Sequence, residues 1–166
     1  MKRGTPLILF LCILAGLAFF VRPDDLAAGD KIEVDYSYEA EGAWTYPVQP
    51  GTEEWVDLGS TEKRREACRV PQEELNAMTT EALLKTALDH PFCGDMLAFD
   101  RKEDGYRHQL MSNSALAALQ ERDDRHEVVR TRLEDMRAWL DEVGQARSAG
   151  AALWYDCLTI LERCME

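Results

Sequence analysis

The chain has 166 residues, with 19 Lys and Arg against 31 Asp and Glu, a formal net charge of −12. An acidic balance of this size disfavours nucleic acid and peripheral binding to anionic membranes, because phosphate contacts need a basic face. The length suits one ordinary domain rather than several.

The N-terminus carries the clearest targeting signal. Lys2 and Arg3 form a short basic start, and residues 7–21 follow without a polar side chain. Arg22-Pro23-Asp24-Asp25 closes this block. Such a layout is that of a secretory signal peptide, and Ala27-Ala28 offer a cleavage point after residue 28. A block of 15 residues is short of the roughly 20 that span a bilayer comfortably. The expected location is therefore secreted or extracytoplasmic, with membrane anchoring through residues 7–21 as the alternative. Cys12 lies inside the block behind the large Leu11, which argues against a lipid-attachment signal. Removing residues 1–28 leaves 29 acidic against 16 basic side chains.

Residues 29–45 read as an acidic, extended linker. Ile32, Val34, Tyr36 and Tyr38 alternate with polar residues, as in a half-buried strand, but the chain offers no second strand to pair with. Tyr46-Pro47 and Gln49-Pro50-Gly51 continue as extended chain and turn. A single helical domain is expected over 46–166.

That domain opens with short helices, each carrying a start signal. Thr52 is placed to cap a helix holding Glu53, Glu54, Trp55 and Leu58, and Gly59 to end it. Ser60-Thr61 begin the next, Pro71 with Gln72-Glu73-Glu74 another, and Thr79-Thr80 with Glu81 a fourth. A hydroxyl at these positions accepts the free N–H groups of a first turn, and acids there suit the positive end of the helix dipole. Pro is tolerated at a first position because its missing N–H would have had no partner. Leu83, Leu84, Ala87 and Leu88 form an apolar face that ends at His90-Pro91. Phe92, Met96, Leu97 and Phe99 read as a short buried helix, and 100–105 as a charged connection.

In order along this half stand Tyr46-Pro47-Val48, Glu54-Trp55, Ala67-Cys68-Arg69-Val70-Pro71, Met78-Thr79-Thr80-Glu81, Asp89-His90-Pro91-Phe92 and Asp104-Gly105-Tyr106. This set resembles a family of small exported helical proteins of Gram-positive, largely gut-dwelling bacteria. It spans about residues 46–124. The resemblance implies export and helices, and transfers no active site.

Longer helices follow from Gly105. Tyr106, Leu110 and Met111 precede a polar break at Ser112-Asn113-Ser114, and Leu116 and Leu119 resume the apolar face. Val129, Leu133, Met136, Leu140 and Val143 make a stepwise stripe that Gly144 ends, an amphipathic helix. Ser148 caps the last helix, with Leu153, Cys157, Ile160, Leu161 and Cys164 on one face. The fold class expected is all-α, an array or bundle of six to seven helices, short ones first and three longer ones in the C-terminal half.

No motif encodes catalysis or a metal. His126-Glu127 begins a helical zinc-protease signature, but Arg130 stands where its second histidine belongs. Asp100, Asp104 and Gly105 occupy three positions of a calcium loop, while Lys102 and Met111 replace two of its ligands. Glu53-Glu54 suit a helix start better than a catalytic pair. No cofactor is expected. Four cysteines outside the apolar block, Cys68, Cys93, Cys157 and Cys164, permit two disulfides in three connectivities. Cys157 and Cys164 are too far apart on one helix to bond with each other. Cys68, at an inward corner, is expected to be a buried packing thiol. Trp44, Tyr46 and Trp55 stand out as aromatics able to dock a partner, either a protein or a cell-wall glycan. The function expected is a non-catalytic interaction or structural module. The alternative is an extracytoplasmic helical hydrolase whose site no motif encodes.

Overall fold

The computed structural model describes Tyr36, residues 38–144 and residues 148–165. The expected signal or anchor segment, 1–28, lies outside the described residues. Every regular element among the described residues is a helix. Eight are α-helical: α1 Glu53–Asp57, α2 Thr61–Ala67, α3 Gln72–Ala77, α4 Thr80–Leu88, α5 Lys102–Ser112, α6 Ser114–Gln120, α7 Arg125–Val143 and α8 Ala149–Cys164. A 3-10 helix, Cys93–Ala98, lies between α4 and α5. The all-α class stands, with nine helices among the described residues rather than six or seven. No helix among them is long and apolar enough to cross a membrane.

The capping signals act as their chemistry requires. Thr52, Ser60, Thr79 and Ser148 each accept a backbone N–H of the following first turn through the side-chain oxygen. Asn113, which reads in the sequence only as a polar break, does the same for α6 by accepting from Leu116 N–H at 3.2 Å. Its amide also donates to the Ala87 carbonyl of α4 at 3.0 Å. This one buried side chain therefore turns α5 into α6 and ties the turn to α4.

Helix α4 sits at the centre. It packs against α6 on one side and α7 on another. Ala82, Leu83, Leu84, Ala87 and Leu88 are all buried. Helix α5 lies against the 3-10 helix, α6 and α8, and α8 returns along α7. The α7 stripe is core through Val129, Leu133 and Met136, then surfaces to half-burial at Leu140 and Val143. On α8 the buried set is Ala151, Cys157, Leu158, Ile160 and Leu161.

Three expectations are corrected. Gly105 does not close a charged connection; it lies inside α5, where an added Cβ would fall 2.1 Å from the Met96 carbonyl oxygen. The 3-10 helix can approach α5 so closely only because that position has no side chain. Leu97 and Phe99 are not buried, being 41% and 39% exposed, because the 3-10 helix turns only Cys93 and Met96 inward. Finally, the stretch expected to be a linker is packed from Tyr36 onward. Tyr38 is buried, Tyr36, Ala40, Ala43 and Trp44 pack against the core, and this stretch belongs to the same compact unit as the helices. Its described aromatics, Tyr36 and Tyr38, pack on helix side chains rather than on a strand.

Candidate functional site

The three aromatics singled out from the sequence are structural to different degrees. Tyr46 is 2% exposed. Its hydroxyl donates to the Thr86 carbonyl at 3.0 Å, and its ring meets the edge of His90 at 5.4 Å. Burial pushes its phenol well above the ordinary range. Tyr46 is therefore withdrawn from any docking surface, and the expectation that it binds a partner is corrected. The ring lies against Thr86 of α4 and His90 just beyond that helix. Trp44 is half-buried; its backbone N–H donates to Thr86 Oγ1 at 2.9 Å. Trp55 is also half-buried. The Arg64 guanidinium lies 5.3 Å from its ring centre and donates to the Trp55 carbonyl, while Phe92 packs on it at 5.3 Å. Tyr46, His90, Phe92 and Trp55 thus form one row of rings that runs from the buried Tyr46 to the half-buried Trp55.

A second aromatic group pins the stretch that holds Tyr36 and Tyr38. Tyr36 meets Trp139 of α7 edge-on at 5.3 Å and Trp154 of α8 at 6.2 Å. Arg132 lies 3.9 Å above the Tyr38 ring and forms an ion pair with Glu81 at 3.3 Å. Lys85 lies over Trp154 and is paired with Asp89. Each cation here has an internal anion and an aromatic face.

A groove of about 470 Å³ lies between α2 and the α5–α6 junction. Leu110, Met111 and Ala117 supply its apolar part, and Glu62, Arg65, Glu66 and Arg69 its rim. Glu62, Arg65 and Glu66 share one face of α2, and Arg69 follows just beyond its C-terminal end. Arg65 is already held by Asp95 at 2.7 Å and lies over Phe92, whereas Arg69 pairs with Glu66 at 3.6 Å with both side chains open to solvent. Met111 is 82% exposed. In the sequence it stands with Tyr106 and Leu110 as an apolar group before the polar break. The actual inward positions are Tyr106, Gln109 and Asn113, and Met111, two residues after Gln109, points about 200° away from it at 100° per residue. A polar buried face hid this, because Gln109 and Asn113 look like surface residues in the sequence. Gln109 is buried because its amide donates to the Phe92 carbonyl at 2.6 Å.

Burial is the largest cause of the shifts of His90, Cys68, Cys164 and Asp89. Burial, with Arg65 adding to it, pushes the His90 imidazole down to about 4, and Nδ1 accepts from Phe92 N–H at 3.2 Å. Burial raises the thiols of Cys68 and Cys164, the opposite of what a nucleophile needs. Cys93 is raised first by its hydrogen bond with Cys157 and then by burial. Asp89 is raised by burial, against the pull of Lys85. Among the described residues no three His, Cys, Asp or Glu side chains gather as a metal ion would require.

No family model matches the chain, and neither a curated protein nor a solved structure matches it.

Proposed function

We propose that this chain is an exported, non-catalytic interaction module that receives a segment of another protein in the groove between α2 and the α5–α6 junction. The observation that carries the reading is Met111. A long, flexible apolar side chain stands 82% exposed in a groove that Leu110 and Ala117 also line. Methionine adapts its shape to varied partners, and an exposed apolar side chain in a concave setting favours contact with another molecule. The rim of alternating Glu62, Arg65, Glu66 and Arg69 suits a peptide with an apolar anchor and charges of both signs. It suits an anionic cell-wall polymer less, since the whole chain is strongly acidic. The buried, neutral state of His90, Cys68 and Cys93 supports a structural part for these groups rather than a catalytic one. The basic start and apolar block of residues 2–21, together with the resemblance to small exported helical proteins of Gram-positive bacteria, support export.

The test is a binding panel of cell-surface proteins, their peptides, and wall glycans, read by calorimetry on the purified chain. Met111→Glu should weaken the protein ligand at least about tenfold while leaving the melting temperature unchanged, because the residue is exposed. Binding that ignores Met111→Glu sinks the groove. Turnover of ester, peptide or glycoside substrates by the purified chain would sink the non-catalytic reading.

A further inference from the structure

Helix α8 brings Cys157 against Cys93 at the start of the 3-10 helix, and the two sulfur atoms lie 3.3 Å apart. Both side chains are buried, Cys93 at 3% and Cys157 at 0% exposure. They are 64 positions apart in the chain, so their meeting is a product of the tertiary fold. Cys157 Sγ also lies 3.9 Å from the Cys93 carbonyl oxygen. The two helices are packed together beside the pair: a Cβ at the neighbouring Gly94 would be in van der Waals contact with Leu153 of α8 at 3.6 Å. A bonded pair has its sulfurs about 2.05 Å apart, so closing the gap takes roughly 1 Å of side-chain movement. Cys68 and Cys164 make no such contact with each other or with this pair among the described residues; Cys68 lies at the end of α2 and Cys164 at the end of α8.

We infer that Cys93 and Cys157 are the site of a single structural disulfide, formed as the chain folds in contact with a disulfide oxidant, while Cys68 and Cys164 stay as thiols. Of the three connectivities that four cysteines allow, the two that pair Cys93 elsewhere are excluded by this placement, and the remaining Cys68–Cys164 bond of the third is not made. The chemistry is thiol–disulfide exchange with an external disulfide such as a thiol oxidoreductase or oxidised glutathione. One cysteine, as thiolate, attacks a donor sulfur, the donor S–S bond breaks, and the first donor thiol leaves. The second cysteine, as thiolate, attacks the protein sulfur of that mixed disulfide and releases the second donor thiol. Two protein thiols are oxidised, one donor disulfide is reduced, and the protons of the protein thiols end on the donor thiols. The native fold hides both sulfurs, so the exchange belongs to the folding chain, before α8 closes over the 3-10 helix.

The inference goes beyond the proposed function and shares with it only the export reading, which supplies an oxidising compartment. The test separates the two. The full chain is unfolded in reductant, refolded with a mixture of oxidised and reduced glutathione, alkylated in denaturant and mapped by peptide mass. The expected product links the Cys93 and Cys157 peptides and leaves Cys68 and Cys164 alkylated. Its melting temperature should exceed that of the reduced chain by on the order of 10 °C, and Cys157→Ser should abolish both the link and the difference. Refolded chain with Cys93 and Cys157 both alkylated, or a main product linked through Cys68 or Cys164, overturns the inference. A Cys93–Cys157 link that lowers the melting temperature also overturns it, because it would show that native packing does not hold the pair ready to bond. If the link forms in glutathione but the chain taken from producing cells is reduced, the export reading fails and the pair stands.

Discussion

Acid should loosen this domain through His90. The side chain is 3% exposed, faces the Tyr46 and Phe92 rings, and has Arg65 and Asp95 as its charged neighbours. Its Nε2 has no hydrogen-bond partner. A proton added there would create a cation inside a ring-lined corner. The imidazole falls from 6.5 to about 4 on folding, so the unfolded chain binds the proton more readily than the folded one. With the folded value depressed, this contribution is fully present above about pH 6.5. It shrinks as pH falls and is gone below about pH 4. At 1.36 kcal/mol per unit, the whole window is worth about 3 kcal/mol, of which about 2 are lost by pH 5. That is a large share of the roughly 5–15 kcal/mol that hold an ordinary domain. Carboxylates titrate over the same range, so the measurement is a difference. His90→Asn keeps an acceptor in the place of Nδ1 for Phe92 N–H but cannot titrate. Urea unfolding of both proteins from about pH 7 to pH 4 should show wild type more stable at the neutral end and the gap narrowing by about 3 kcal/mol at the acid end. A gap that stays constant with pH would refute the argument that burial keeps His90 neutral.

Three packing predictions follow from the same structure. Gly105→Ala should cost about 3 kcal/mol or more, because the new methyl meets the Met96 carbonyl and forces α5 from the 3-10 helix; a loss under about 1 kcal/mol in urea unfolding would show that the two backbones part easily. Asn113→Ala should cost about 2–4 kcal/mol by removing the α6 cap and leaving the Ala87 carbonyl without its donor. An unchanged unfolding midpoint would remove Asn113 from the α4–α5–α6 junction. Leu133→Ala, at a side chain with 0% exposure, should cost about 2–5 kcal/mol; a loss below about half a kilocalorie would place the α7 stripe outside the core.

Local chemistry made much of this protein legible from its residues alone. Hydroxyl caps at Thr52, Ser60, Thr79 and Ser148 act within three residues, so reading them needs no tertiary information. The helical period likewise exposed the α7 stripe and the α4 face, because a strongly apolar face must find a core wherever the chain folds. Cys68 is the buried thiol that its inward corner predicted.

Tertiary structure decided whatever depends on a distant partner. Gln109 and Asn113 look like surface residues until the Phe92 and Ala87 carbonyls are brought to them, and their inward turn is what sends Met111 outward into the groove. Gly105 reads as a turn until the 3-10 helix lies against it. Tyr36 and Tyr38 read as a spacer until α7 and α8 offer Trp139, Arg132 and Trp154 as a surface. The meeting of Cys93 with Cys157 across 64 positions is of the same kind. A single side chain fixes its local backbone preference, but its burial depends on groups that only the folded chain brings within a few ångströms.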